Sequence, residues 1–201
     1  MSADADLEAL RRGRCLLMAT DTVYGLAALP GSPGYEQIFA LKRRPATQVL
    51  PWLVSGPAAL DELACEVPAY ARRLAGMLWP GGLTLVLRAS DAARELGGIA
   101  ADDSVALRMP DDARCLQLLR ALASPLACTS ANLHGSPAPV QAYQIDPSLA
   151  PYLDQLAAPA CPGGLSSTIV DCTGPLPRVL REGCVAAQVV LAVALLDAPS
   201  L

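Results

Sequence analysis

Five stretches of this chain place hydroxyls, an amide or a long cation where an apolar run ends: Thr20/Thr22/Tyr24, Ser104/Arg108, Ser130/Asn132, Ser167/Thr168 and Arg181. Lys42 and Arg44 add two cations at the end of an expected helix. Three arginines and a lysine without a matching set of close carboxylates suit a polyanionic ligand such as a nucleotide triphosphate, because a guanidinium fork grips phosphate oxygens in pairs. Taken singly, each of these charges also fits a solvated surface group; it is their joint placement at segment ends that points to a site. Thr20-Asp21-Thr22-Val23-Tyr24-Gly25-Leu26 is the densest stretch. Polar groups at the end of a buried strand are where open α/β sheets hold ligands, and Gly25 is expected to turn the chain there without a Cβ clash. The chain carries no nucleophile elbow, Walker loop or dinucleotide fingerprint. His134 is the single histidine, so a Ser-His or Cys-His relay could be built only around it; it reads as an exposed loop residue.

The elements that must position these groups alternate. Asp4–Arg12 reads as an amphipathic helix, acidic early and basic late. Cys15–Ala19 reads as a buried strand, 30–34 as a loop, and Tyr35–Leu41 as a helix that Pro45 brings to an end. Val49–Val54 is a strand whose Pro51 suggests an edge or a bulge. Helices follow at Pro57–Ala64 and Pro68–Leu78, the latter with Arg72 and Arg73 on its wet face. Strand Leu83–Leu87, a helix-and-loop segment 90–103, strand Ser104–Leu107, helix Ala113–Ala123 and strand Leu126–Cys128 come next. A helix is expected near Leu149–Ala157, strands at Thr168–Val170 and Arg178–Leu180, and a helix or final strand over Val185–Leu196. Strands alternating with helices indicate α/β, and the short gap between the last two strands implies a hairpin and so a mixed sheet.

Composition narrows the possibilities. The chain has 201 residues, 53% hydrophobic and 17% charged, enough for one domain, 1–201, with a well-filled core. No apolar run approaches the roughly 20 residues of a membrane span, and the acidic start, Met1–Glu8, is unlike a signal peptide. A cytoplasmic protein without membrane association is expected. Seven scattered cysteines with no C-x-x-C pair, and one histidine, argue against zinc. Cys15, Cys128 and Cys172 read as small buried hydrophobes, Cys128 and Cys172 as structural ones. The net charge of −4 argues against general nucleic-acid binding, although Lys42-Arg43-Arg44 forms a local basic patch.

Seven segments in order resemble the YrdC-like family of threonylcarbamoyl-AMP synthases: 19–26 (ATDTVYGL), 38–45 (IFALKRRP), 79–87 (WPGGLTLVL), 105–110 (VALRMP), 129–132 (TSAN), 167–171 (STIVD) and 179–183 (VLREG). Any one of these motifs is weak; seven in register across residues 5 to 185 are specific. The resemblance implies an open, twisted, mixed α/β sheet flanked by helices, with a positively charged central cavity. It implies synthesis of threonylcarbamoyl-AMP and pyrophosphate from L-threonine, bicarbonate and ATP, for N6-threonylcarbamoyl modification of adenosine 37 in tRNA. Mg²⁺ would accompany ATP, downstream threonylcarbamoyl-transfer proteins would be partners, and direct tRNA binding would be weak or absent. Carried over by position, Thr22, Arg108, Ser130 and Ser167 would hold threonine; Arg44, Ser104, Asn132 and Arg181 would hold ATP, with Lys42 beside the phosphates and Lys42 and Arg44 carrying the chemistry.

The chain departs from the family pattern at Ala19, at Gln48-Val49, and at Leu53 where many members carry histidine. It departs again at His134 and Val140, where serines are usual. Two other readings stay open: a paralogue acting on another carbamate or carbamoyl group, and a non-catalytic module that binds nucleotide or RNA.

Overall fold

In a computed structural model, residues 3–43, 45, 50–133, 135–152, 161 and 163–196 are described. The chain opens with α1 (Ala3–Arg11), β1 (Leu16–Met18), β2 (Gly25–Ala28) and α2 (Pro33–Lys42). It continues through β3 (Trp52–Leu53), α3 (Ala59–Leu63), β4 (Ala64–Cys65), α4 (Ala69–Leu78) and β5 (Leu83–Ala89). α5 (Asp91–Leu96), β6 (Ser104–Arg108), α6 (Ala113–Leu122) and β7 (Leu126–Ser130) follow. Two 3-10 turns, Ala142–Gln144 and Pro147–Tyr152, then lead to β8 (Thr168–Asp171), β9 (Arg178–Arg181) and α7 (Ala187–Ala194).

The strands form one mixed sheet in the order β1-β2-β7-β3-β6-β5-β8-β9, with β4 also pairing β5. β3 runs parallel to β6, and β5 parallel to β8; the other pairs are antiparallel. Helices flank the sheet, and two separate cores divide its faces. In the larger core, Ile38 of α2, Leu63 of α3, Leu74 of α4, Ala93 of α5 and Val190 of α7 meet Leu26, Trp52, Leu85, Leu107 and Val170 from the strands. The smaller core joins Leu10 of α1 and Leu118 and Leu119 of α6 to Leu16, Met18, Ala27, Leu53 and Leu126. No residue of β5, β6, β8 or β9 belongs to that second core. α1 and α6 therefore cover only the half of that face made by β1, β2, β7 and β3.

Because side chains alternate across a strand, register decides what the other half presents. Pairings Val86↔Ala106, Thr84↔Ile169 and Ile169↔Arg181 put Thr84, Val86, Ala106, Arg108, Ile169 and Arg181 on one face. Gly25↔Ser130 and Leu53↔Arg108 extend that face into β2, β7 and β3.

Several expectations change. Gly25 does not turn the chain: it opens β2, paired to Ser130. A Cβ there would lie 2.6 Å from Cys128 Sγ, so its role is to let β2 and β7 approach closely. β3 is an inner strand, not an edge; Pro51 sits just before it, and its carbonyl accepts from Cys128 N at 2.8 Å, so the missing N–H costs no ladder bond. α2 begins earlier than its hydrophobic pattern suggests, because Ser32 caps it through Tyr35 N and Pro33 occupies its first turn. Arg73 is not simply solvated: it donates to Val193 O and Ala194 O, the orphan carbonyls at the end of α7. Val185–Leu196 resolves as helix α7, and the expected hairpin is β8–β9. The helix expected near Leu149–Ala157 begins as the 3-10 turn ending at Tyr152; residues 153–160 lie outside the described residues.

Candidate functional site

The uncovered half-face is the floor of a cavity of about 260 Å³ lined by Thr20, Thr22, Leu53, Thr84, Arg108, Cys128, Ser130, Ser167 and Arg181, among others. Six residues singled out in the sequence, Thr20, Thr22, Arg108, Ser130, Ser167 and Arg181, thus meet in one place. They come from the β1–β2 connection, β6, β7, the residue just before β8 and the end of β9.

The hydrogen bonds fix which way each group points. Arg108 is buried, and its guanidinium is held on three sides. Nε donates to Gly81 O at 3.0 Å, Nη1 to Thr22 Oγ1 at 2.9 Å, and Nη2 to Asp21 Oδ1 at 2.6 Å. The Arg108–Asp21 ion pair is 8% and 11% exposed at its two side chains, so it is largely shielded from water. Thr20 spends its single hydroxyl proton on Val23 O at 2.7 Å. At the 3.0 Å contact between Thr20 Oγ1 and Thr22 Oγ1, Thr22 is therefore the donor. Thr22 accepts from Arg108 and gives its proton to Thr20, so it has only one lone pair left to offer the cavity.

Ser130 is polarised the same way, donating to Asn132 Oδ1. Lys42, 2% exposed at the last turn of α2, has its ammonium on Ser130 O, on Asn132 O at 2.6 Å and on Asn132 Oδ1 at 3.0 Å. Lys42 thereby ties the end of β7 to the C-terminus of α2. Asn132 Nδ2 donates to Leu133 O at 3.1 Å and to Ser136 O at 2.5 Å, so its amide organises the loop that follows. Asn132 lines a second cavity of about 510 Å³, together with Ser136, Pro139, Tyr143 and Asp146.

Arg181 leans over the first cavity and donates to Ser167 O at 3.2 Å from Nε and 2.7 Å from Nη2. Ser167 and Thr84 hydroxyls lie 2.9 Å apart. Desolvation, with the like charge of Arg108 adding to it, lowers the Arg181 pKa from its usual value. Burial pushes the Cys128 thiol, in the cavity wall, up to about 12, so it stays protonated at neutral pH.

Ser104 lies apart: it shares a strand face with Ala106 and Arg108, but its hydroxyl donates to Asp102 at 2.7 Å and it lines neither cavity. Arg44, Gln48, Val49 and His134 lie outside the described residues, and Val140 borders the turn after the second cavity, its N–H on Gln144 Oε1 at 2.8 Å. Asp21 and Gly81, which hold Arg108, were not singled out as site residues in the sequence. Their signal was adjacency to residues that were, Thr22 and the Trp79–Leu87 segment. Among the described residues no group of three His, Cys, Asp or Glu side chains converges to ligate a metal, and no helix is long and apolar enough to cross a membrane.

The arrangement suits a small zwitterion. Two guanidinium groups offer donors to an anionic group, while two polarised hydroxyls offer only acceptors, the complement of an ammonium or amine.

A family model described as Telomere recombination, for the Sua5, YciO and YrdC proteins, matches residues 8–183. A putative threonylcarbamoyl-AMP synthase of Mycobacterium tuberculosis is 37% identical over 199 residues, covering 96% of this chain and 89% of that protein. The threonylcarbamoyl-AMP synthase of Bacillus subtilis is 32% identical over 186 residues, covering 92% of this chain and 54% of that protein. The crystal structure of Pyrococcus abyssi Sua5 complexed with L-threonine superposes with a TM-score of 0.82 at 32% identity, covering 95% of this chain and 56% of that one. The chain thus spans about half the length of the Bacillus and Pyrococcus relatives.

Proposed function

The chain belongs to the Sua5/YciO/YrdC family, and on that premise we propose that it is a threonylcarbamoyl-AMP synthase, joining L-threonine, bicarbonate-derived CO₂ and ATP and releasing pyrophosphate. The observation that carries this reading is the polarity of the cavity: cationic Arg108 and Arg181 beside acceptor-only Thr22 and Ser130 form a receptor for an amino acid. The Pyrococcus relative, described as complexed with L-threonine, supports threonine as that amino acid.

In the proposed reaction the threonine carboxylate faces Arg108 and its amine faces Thr22 and Ser130. The amine nitrogen bonds to CO₂ and loses a proton, giving a carbamate. A carbamate oxygen attacks the α-phosphorus, the bond from that phosphorus to the bridging oxygen of the leaving group breaks, and pyrophosphate departs. No strong base is needed, because carbamate formation is facile; the protein positions the reactants and stabilises charge. Arg181 and Arg44 are proposed to grip phosphate oxygens. Lys42 acts through the 130–132 turn and through its buried charge, and Asn132 shapes the approach to the second cavity, towards which the nucleotide extends.

The two guanidinium groups at the cavity fit the oxygens of a nucleotide rather than a bare cation. Mg²⁺ is therefore proposed to be held mainly by phosphate oxygens and water, where it supplies charge neutralisation. A cavity of net positive sign, a twisted sheet, a single domain over 1–201, cytoplasmic residence and hand-over of the product to tRNA threonylcarbamoyl-transfer proteins complete the proposal.

The test is pyrophosphate release with ATP, bicarbonate and each amino acid in turn. Release that needs both L-threonine and bicarbonate is expected. Equal release with L-serine, or with no amino acid, overturns the threonine assignment.

A further inference from the structure

We infer that Asp21 is a positioning residue that aims Arg108 at the carboxylate of the amino-acid substrate; this rests on the threonine reading above. Asp21 does not line the cavity, whereas Arg108 does. Its carboxylate stands behind the guanidinium, 2.6 Å from Nη2, in an ion pair largely shielded from water. Asp21 is itself fixed by the backbone: Gly163 N donates to its carbonyl at 2.8 Å, and a Cβ on Gly163 would stand 2.5 Å from that oxygen. The main chain on the Gly81 side is fixed as well, since Gly81 N donates to Met109 O at 2.8 Å while Gly81 O takes Arg108 Nε.

A guanidinium has five N–H donors in one plane. Gly81 O, Thr22 Oγ1 and Asp21 Oδ1 take three, one on each nitrogen, which leaves one N–H on Nη1 and one on Nη2. Two N–H groups on the two terminal nitrogens are the complement of a carboxylate gripped in a bidentate manner. Of the three anchors, Asp21 is the only charged one, and it sets the rotation of the guanidinium plane. Without it the fork keeps its charge but loses its direction. The effect should fall on threonine recognition, not on the nucleotide, because the remaining contacts of Arg108 are with Thr22 and the Gly81 backbone.

The experiment compares wild type, D21N and D21E by calorimetric titration with L-threonine and by steady-state pyrophosphate release, with thermal melts alongside. D21N is expected to raise the KM for L-threonine at least tenfold, to leave the KM for ATP within twofold, and to keep kcat at saturating threonine within about threefold. D21E restores the charge from a displaced position and is expected to fall between the two. Should D21N fail to fold, D21E alone must show the same split, a raised threonine KM with an unchanged ATP KM. An unchanged threonine KM in a folded variant overturns the inference, as does equal damage to both KM values, which would mark Asp21 as a general structural residue. Wild-type protein that binds no L-threonine overturns the threonine reading itself, and this inference with it.

Discussion

Arg181 and Arg72 are both exposed arginines, yet their surroundings predict different outcomes. Arg72 reaches Asp61 at 2.7 Å with both side chains about half in water, a type of pair worth about 0–1 kcal/mol. Arg181 is braced on Ser167 at the mouth of the cavity. Arg181→Ala should lower kcat/KM for ATP about a hundredfold, roughly 3 kcal/mol of transition-state stabilisation, and Arg44→Ala is expected to match it. Arg72→Ala should leave turnover within about twofold; equal losses in folded Arg72→Ala and Arg181→Ala proteins would move the site elsewhere. The thiols make a separate prediction. Burial raises the pKa of Cys128 and of Cys172 from 9.0 to about 12. Between those values the unfolded chain releases protons that the folded chain retains, so this contribution is intact below pH 9 and fades as pH climbs towards 12, by up to about 1.4 kcal/mol per unit per thiol. Melting temperature followed from pH 8 to 11 should fall, and less steeply in a Cys128→Ala/Cys172→Ala double variant. An unchanged slope would mean that the two thiols are not the groups responsible.

At the level of elements, the close approach of β2 and β7 depends on one missing side chain. Gly25→Ala would drive a methyl against Cys128 Sγ, in a wall where neither strand can shift without disturbing Ser130. Overpacking of this kind costs about 1–3 kcal/mol. Cys128→Ala should relieve it, so the double variant should be less destabilised than the sum of the singles in denaturant titrations. Strict additivity would show that the two residues do not meet. This pair also marks the limit of what the sequence displayed. Long apolar segments with clear periods, such as α4, α6 and β5, were legible, as were the residues that gather at strand ends. β2 was hidden because Gly25-Leu26-Ala27-Ala28 has neither β-branched residues nor alternation, and it becomes a strand only through pairing with β1 and β7. β4, two residues long and read as the end of a helix, is likewise made by its neighbour β5 rather than by propensity, whereas β3 lies within the strand expected over Val49–Val54. Which hydroxyl donates and which accepts was beyond reach, because it depends on contacts between residues as far apart as Thr22 and Arg108.

For the molecule as a whole, the decisive feature is a sheet with one face roofed over half its width. Ala27 lies under the roof of α1 and α6, fully buried, whereas Ala106 stands half-buried on the open floor. Ala106→Phe should fold with little change in melting temperature and lose turnover by filling the cavity. Ala27→Phe should be destabilised by about 1–3 kcal/mol, from overpacking. The reverse pattern would place the cavity on the wrong half of the sheet. The order of the strands carries a further consequence, for synthesis. β2 waits for β7, about a hundred positions later in the chain, and β3 sits between β7 and β6, both of which follow it. As the chain leaves the ribosome N-terminus first, the β1–β2 pair stays unjoined to β3 and the rest of the sheet until residues 126–130 emerge to bridge them, and pairings this distant form slowly. A nascent chain halted at residue 125 should therefore be readily cut by protease, and protection should arrive in one step once β7 has cleared the exit tunnel.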